Sequence, residues 1–476
     1  MSRSVLATIA RHELRQLRRD GRLRAAAWLG LGLLVALALL GWQTYRRELH
    51  ERAHFEASAR SQWENQGEKH PHRAAHFGFY LTKPELPLAL FDSGIKPATG
   101  RVLWLEAHSR TVFAYSPVED AGATGILGLT NGAEILQLLG TLLVILAAYG
   151  SVAREKEDGT LRLILAQGVS PRRWFAGKCT GLAVALSVVG LPIAAGLWLL
   201  CWRADPSAFT ADAAGRALAL IAAHALYFAA WLVGAVAVSA WARTARGALA
   251  LLLGLWVAGG VLAPRLASTL ASTLAPLPTI AHFAKAHADD FNRGFDGEPG
   301  WSAQLARLEK ETLARHGVKT LAELPVGFSG LRMQAMDAFT GRISDRHQRR
   351  LEAIYERQTR WHWATAALGP YVPMRALSGS LTGMDWPHYQ HFAEVAEHYR
   401  RGVVKSLDQL LERELRGDKW EIQFGRDVWS KAPPFTYAMP GAGWALRQAA
   451  LPLALVALWF VFASALAWAG ARRITP

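Results

Sequence analysis

The chain has 476 residues, 51% of them hydrophobic and only 19% charged, with 19 Trp, two Cys and a formal net charge of +15. So little charge with a mean hydropathy above zero points to a membrane and excludes a largely disordered chain. Two Cys exclude a disulfide scaffold or a Cys-rich zinc protein, while the positive surplus fits nucleic acid, an anionic membrane surface or an arginine bias that orients membrane helices.

Residues 1–24 read as an amphipathic basic helix. Val5, Leu6, Ile9, Ala10, Leu14 and Leu17 recur at helical spacing, and Arg3, Arg11, Arg15, Arg18 and Arg22 recur three or four apart. Such a helix anchors one leaflet, and it can also meet a soluble partner. Six stretches then offer the roughly 20 apolar residues that a helix needs to cross the hydrocarbon core. They fall at 25–42, 126–149, 179–202, 216–240, 248–262 and 446–469, with Pro264 and Arg265 closing the fifth. The apolar run at the first span continues past Ala36-Leu37-Ala38, which favours a retained anchor over a cleaved signal peptide.

Two long segments separate the spans. Residues 43–125 predict a continuation of the first helix to about Asn65 and a hairpin of Val102–Leu105 with Thr111–Tyr115. Residues 265–445 predict mostly helix: Met336, Phe339, Ile343, Leu351, Ile354 and Gln358 mark one stripe. Phe392, Val395, Tyr399, Val403, Leu407, Leu410 and Leu411 mark another, on a helix starting near Pro387. The fold class is therefore an all-α polytopic membrane protein with six transmembrane helices, a mainly helical extracytoplasmic domain and a smaller mixed α/β extracytoplasmic segment.

The distribution of charge supplies the orientation. Residues 1–24 carry net +5, 150–178 net +3, and 241–247 and the tail at 470–476 +2 each, whereas 43–125 are neutral and 265–445 carry only +3. By the positive-inside rule both termini are cytoplasmic and the long segments are exported, so no nucleic-acid partner is implied. Cys179 and Cys201 stand 22 residues apart on one helix, about 33 Å at 1.5 Å each, too far for a disulfide.

Between the second and third spans, the charged run Arg154 to Asp158 breaks at Gly159. Thr160 can cap a short helix with Leu161, Ile164 and Leu165 on one face, Gly168 can end it, and Ser170-Pro171 can start the next. Such an element is either an interfacial turn or a docking site for a soluble partner. Arg154, Glu155, Glu157, Gly159, Thr160, Leu161, Val169, Ser170 and Lys178 match Arg-Glu-x-Glu-x-Gly-Thr-Leu followed by Val-Ser and a Lys. This resembles the corresponding loop of ABC-2-type permeases, the membrane subunits of ATP-binding-cassette transporters. Gly168 stands where those proteins usually carry Pro, and Pro171 where they carry Arg. The six-span layout and the run His70-Pro71-His72-Arg73-Ala74-Ala75-His76-Phe77-Gly78 further resemble a bacterial branch grouped with copper-enzyme-maturation permeases.

The resemblance implies an inner-membrane subunit whose loop at 150–178 couples to a separate ATPase subunit, beside a connecting helix at 1–24. ATP-Mg then belongs to the partner, a second permease subunit, identical or homologous, completes the assembly, and a periplasmic or outer-membrane partner is open. The implied activity is transport of an unknown substrate; the alternative is force transmission to, or maturation of, a periplasmic partner or metalloprotein. No G-x-x-x-x-G-K-[ST] occurs, so this chain is not expected to be an enzyme by itself and needs no cofactor of its own. Leu377-Ser378-Gly379-Ser380 reads as a turn.

Fourteen of the sixteen His lie in the two long segments. His388, His391 and His398, with Glu394, fall near one helical face, and His70, His72 and His76 are close in sequence; either group can present metal ligands, although surface stripes and hydrogen-bonded structural His are commoner. Within the spans Glu134, Gln137 and His224 are the polar exceptions, which face protein or water rather than lipid.

Overall fold

Asp20 alone separates helix α1 (Ser2–Arg19) from α2 (Gly21–Glu64), its carboxylate accepting from the amides of Arg22 and Leu23 at 3.0 and 3.1 Å. The computed structural model describes residues 2–108, 110 and 131–473. At 1.5 Å per residue the 44-residue α2 is about 66 Å long, roughly twice the hydrocarbon thickness, so it crosses and projects beyond as the sequence suggests. Helix α3 (Pro71–Phe77) and strands β1 (Phe79–Thr82) and β2 (Val102–Leu105) follow; the strands pair antiparallel, with Phe79 opposite Leu105 and Thr82 opposite Val102. The expected hairpin partner Thr111–Tyr115 lies outside the described residues, and the described partner of β2 is Phe79–Thr82.

The remaining spans begin with α4 (Gly132–Ala148); residues 126–130 of the expected second span are outside the description. Two short helices, α5 (Ala153–Glu157) and α6 (Thr160–Ala166), lead to α7 (Pro171–Ala204), followed by α8 (Ala211–Trp241). The fifth span departs from expectation: Pro264 does not close it. Helix α9 (Ala245–Trp256) passes through a π-helical turn, Val257–Leu262, into α10 (Ala263–Leu274), giving a 30-residue apolar helix. The wider turn, in which the Ala263 amide donates to the Ala258 carbonyl, takes up the register where Pro264 supplies no amide.

Helices α11 (Ile280–Arg293), α12 (Trp301–His316), α13 (Phe328–Thr365), α14 (Tyr371–Thr382) and α15 (Trp386–Glu414) form the second long segment, and α16 (Ala442–Gln448) leads into the last span, α17 (Ala450–Arg473). The protein is thus a multi-pass, all-α membrane protein: among the described residues six helices are long and apolar enough to cross, and the strands are few and short. Half of the most apolar stretch of α8 is buried against 6% in α2 and in α7, so α8 is the central post, packed along α17 and α4, and α2 and α7 turn apolar faces outward. Cys179 and Cys201 are both free thiols.

Leu377–Ser380 is not a turn but part of α14, wholly buried against α8 and α17. Ser378 Oγ donates to Asp92, and Ser380 Oγ donates to the Ala445 carbonyl at 3.0 Å. Small residues let this helix approach the spans closely, which a residue-by-residue reading takes for loop composition. The two long segments share one core: Trp63, Phe79, Leu81, Leu103 and Leu105 from the first pack with Phe392, Val403 and Trp429 from the second. Each large apolar side chain buried there contributes about 1.5–3 kcal/mol, so the stripe on α15 is satisfied within the chain; on α13, Phe339 and Ile343 are fully buried, Phe339 against Phe291, Phe295 and Trp301.

Candidate functional site

On the side of the bundle that carries the termini, α1 lies against the start of α7. Gly177 and Gly181, four residues apart on one face, make room for it: a Cβ on Gly181 would stand 2.9 Å from Cα of Ala10, and one on Gly177 2.9 Å from Ile9. In this contact Lys178, 2% exposed, donates to both Glu13 of α1 and Glu155 of α5. Burial holds the Glu13 carboxyl above its usual range against the pull of Lys178. One ammonium therefore ties three helices in a place water hardly reaches.

The rest of α5 is fastened in a similar way. Ser239 Oγ accepts from the amides of Val152 and Ala153 at 3.1 and 3.0 Å and donates to the Tyr149 carbonyl at 2.6 Å. Lys156 donates to the Ala240 carbonyl, and Glu157 accepts from the Ala245 amide at 3.2 Å, at the start of the fifth span. Arg154 reaches back to the Tyr149 ring. Gly159, at φ +72°, makes the left-handed corner into α6, so it occupies the cap position expected of Thr160. The Thr160 hydroxyl instead donates to the Glu155 carbonyl at 3.3 Å. Ser170 sits at the N-cap of α7 with extended backbone but without a side-chain cap bond, and Pro171 is the first helical residue as expected.

The sequence motif thus divides. Glu155, Leu161 and Lys178 face inward and bind the pieces together, while Arg154, Gly159, Thr160 and Ser170 are exposed. The outward face also includes Arg162 and Leu163, the latter 67% exposed, between the buried Leu161 and Leu165. Glu13 escaped the motif reading; its signal was an acid in the middle of a basic helix.

At the opposite end, the polar residues of the spans are engaged. Gln137 Nε2 lies 3.3 Å from His224 Nε2, and His224 Nδ1 lies 2.9 Å from the Leu220 carbonyl. Arg375 of α14 meets Glu134 at 2.6 Å and Asp92 at 3.6 Å; Asp92, fully buried, also accepts from Asn131 at 3.2 Å and from Ser378. Arg216 of α8 is fully buried. It pairs with Asp212 at 2.9 Å and donates to the carbonyls of Ser380 at 3.3 Å, Leu381 at 3.4 Å and Pro440.

Lys83, also buried, donates to the Gly383 carbonyl at 2.9 Å, and burial pulls its ammonium down from 10.5 to about 8. Across that window the unfolded chain binds more protons than the folded one, so stability rises as pH climbs from about 8 towards 10.5, by about 3 kcal/mol in full. Thermal unfolding of the detergent-solubilised chain between pH 7.5 and 9.5 is expected to show this rise, and Lys83→Met to remove it; an unchanged slope in the variant would place the effect elsewhere.

The histidines are rearranged relative to expectation. Among the described residues His388, His391 and His398 are not gathered as ligands: His388 is fully buried between Asp385 and Arg216, His391 pairs with the Tyr437 hydroxyl at 3.1 Å, and His398 Nδ1 meets the Glu394 carbonyl at 2.7 Å. His388 and His391 share Trp444, with ring centroids 4.8 and 6.0 Å away, whereas His398 is exposed. His70 caps α3, its Nδ1 accepting from the His72 amide at 3.1 Å, and stacks on Trp420 at 4.2 Å. His72 and His76 instead meet His108, beyond β2, with ligand nitrogens within 4.8 Å of one another. Burial and then the neighbouring imidazoles push His72 down to about 4. His108 Nδ1 pairs with Asp337 of α13. Asp408 of α15 lies beside Asp337 and is held well above the carboxylate range by burial and by that neighbouring charge.

A family profile described as a Domain of unknown function (DUF3526) matches residues 280–438. No curated protein matches the chain. The DUF3526 region runs from α11 to the irregular stretch before α16; it supplies Asp337, Asp408 and Arg375. His72, His76, His108 and the whole junction around Lys178 lie outside it.

Proposed function

We propose that the chain is the membrane-spanning permease subunit of an ATP-binding-cassette transporter of the ABC-2 type. Both termini, α1, α5 and α6 lie in the cytoplasm of a bacterium, and the two long segments lie in the periplasm, in keeping with the arginine bias. A separate ATPase subunit, carrying ATP-Mg, acts on α5 and α6, and a second permease subunit completes the assembly.

The observation that carries this reading is the fastening of α5 and α6. A surface turn needs no buried charge, yet Glu155 reaches Lys178 at the start of the third span and Glu157 accepts from Ala245 at the start of the fifth. A push on α6 is thereby delivered to α1 and to both spans, while Arg162 and Leu163 remain outward for a partner. In the second reading the same motion works on a periplasmic partner without passage of a substrate. It is favoured by Gln137 and His224, which bond each other, and by Glu134, which pairs with Arg375.

Extraction from native membranes is expected to recover an ATPase with the wild-type chain. Leu163→Arg, on an exposed position, is expected to lose the ATPase while melting like wild type. Absence of any ATPase, or recovery unaffected by Leu163→Arg, would overturn the coupling reading. ATP-dependent flux in reconstituted vesicles separates transport from force transmission.

A further inference from the structure

From the convergence of His72, His76 and His108 we infer a binding site for one divalent transition-metal ion of the zinc class, formed by the first long segment and braced by the second. His72 and His76 stand four residues apart on α3, so their rings project from one face. The three rings are in mutual contact, with centroids 4.8 Å apart for His72 and His76 and 5.2 Å for each with His108.

The bracing marks a ligand set rather than a chance cluster. Asp337 takes Nδ1 of His108, which leaves Nε2 as the nitrogen available to a ligand. That Nε2 is buried and has no hydrogen-bond partner among the described residues. A buried polar atom without a partner is costly, and a metal ion would supply one. A carboxylate behind a metal-binding imidazole is the usual way to set its tautomer and aim its lone pair. His108 itself has φ +64°, a left-handed backbone that a non-glycine residue seldom adopts and that turns its ring back towards α3.

The chemistry selects the ion class. Three imidazoles suit zinc, copper or nickel and disfavour magnesium and calcium, which require oxygen ligands. Tetrahedral zinc, with bonds of about 2.0 Å, holds its nitrogens roughly 3.3 Å apart. The ligand nitrogens, all within 4.8 Å of one another, reach that spacing by side-chain rotation, and the exposed His76 has the most room to turn. An ion there ties α3 and the end of β2, through Asp337, to α13. This inference does not depend on the transport reading.

The test uses the full chain in detergent, without a polyhistidine tag, stripped with chelator and titrated with zinc(II). One equivalent is expected to bind and to raise the melting temperature, and cobalt(II) in its place is expected to give the visible absorption of a tetrahedral nitrogen-rich site. His76→Ala, at an exposed position, should melt like the metal-free wild type and bind zinc at least about tenfold more weakly, and Asp337→Asn should weaken binding about 10–100-fold. His398→Ala should bind as wild type. Absence of stoichiometric zinc binding, affinity unchanged by His76→Ala, or an equal loss in His398→Ala would each overturn the site.

Discussion

Lys178→Met is expected to destabilise the chain more than any other single change at the terminal face. The ammonium is 2% exposed and serves two carboxylates, so its removal leaves Glu13 and Glu155 facing each other without a counter-charge. Removing one partner from a buried ion pair costs about 3–5 kcal/mol, because the remaining charge is stranded away from water. The expected readout is a melting temperature lowered by several degrees in detergent. The triple variant Lys178→Met, Glu13→Gln, Glu155→Gln should recover most of the loss, since no uncompensated charge then remains. Equal melting of Lys178→Met and wild type would mean that the junction is solvated and that the three helices are held by packing alone. Lys178→Arg should fall between them: the wide guanidinium does not fit where Gly177 and Gly181 bring α1 into direct contact.

Arg216→Met is expected to loosen the other end. This guanidinium joins the central span α8 to the end of α14 and to the stretch before α16 through three carbonyls and Asp212. Asp212 is 44% exposed and can turn to solvent, and the Ser380 carbonyl keeps the Gly383 amide at 3.1 Å, but the buried Leu381 carbonyl loses the guanidinium. Leaving a buried carbonyl without its donor costs about 1–3 kcal/mol. The effect should be local as well as global. Residues 433–440 have no regular secondary structure and depend on Arg216 at Pro440, so limited proteolysis should nick this stretch faster in Arg216→Met than in wild type. Unaltered cleavage and melting would show that packing of α14 against α8 and α17 suffices.

The two ends of the bundle differed in legibility for a physical reason. Around Lys178, Glu155 and Lys178 flank one short loop, and the alternation of charge, Gly159 and Leu161 announces a structured turn within about 25 residues of chain. Glu13 could be suspected only because an acid interrupts a row of arginines. The histidines show the opposite case. His388, His391 and His398 sit at helical spacing, but each bonds a different partner, and spacing along one helix says nothing of what faces it. His108 joins His72 and His76 through the pairing of β2 with β1, a contact absent from any local pattern.

What the sequence by itself determined is what the bilayer dictates: six apolar helices, their approximate places, and an arginine bias concentrated on the four short segments. Those features are local sums over about 20 residues, and lipid imposes them on any chain. Only the tertiary structure decided that the fifth span runs through Pro264, that Leu377–Ser380 is a buried helix, that the two long segments share one core, and which histidines meet. All but the first turn on contacts between residues distant in the chain, where one partner's shape or charge decides what the other does.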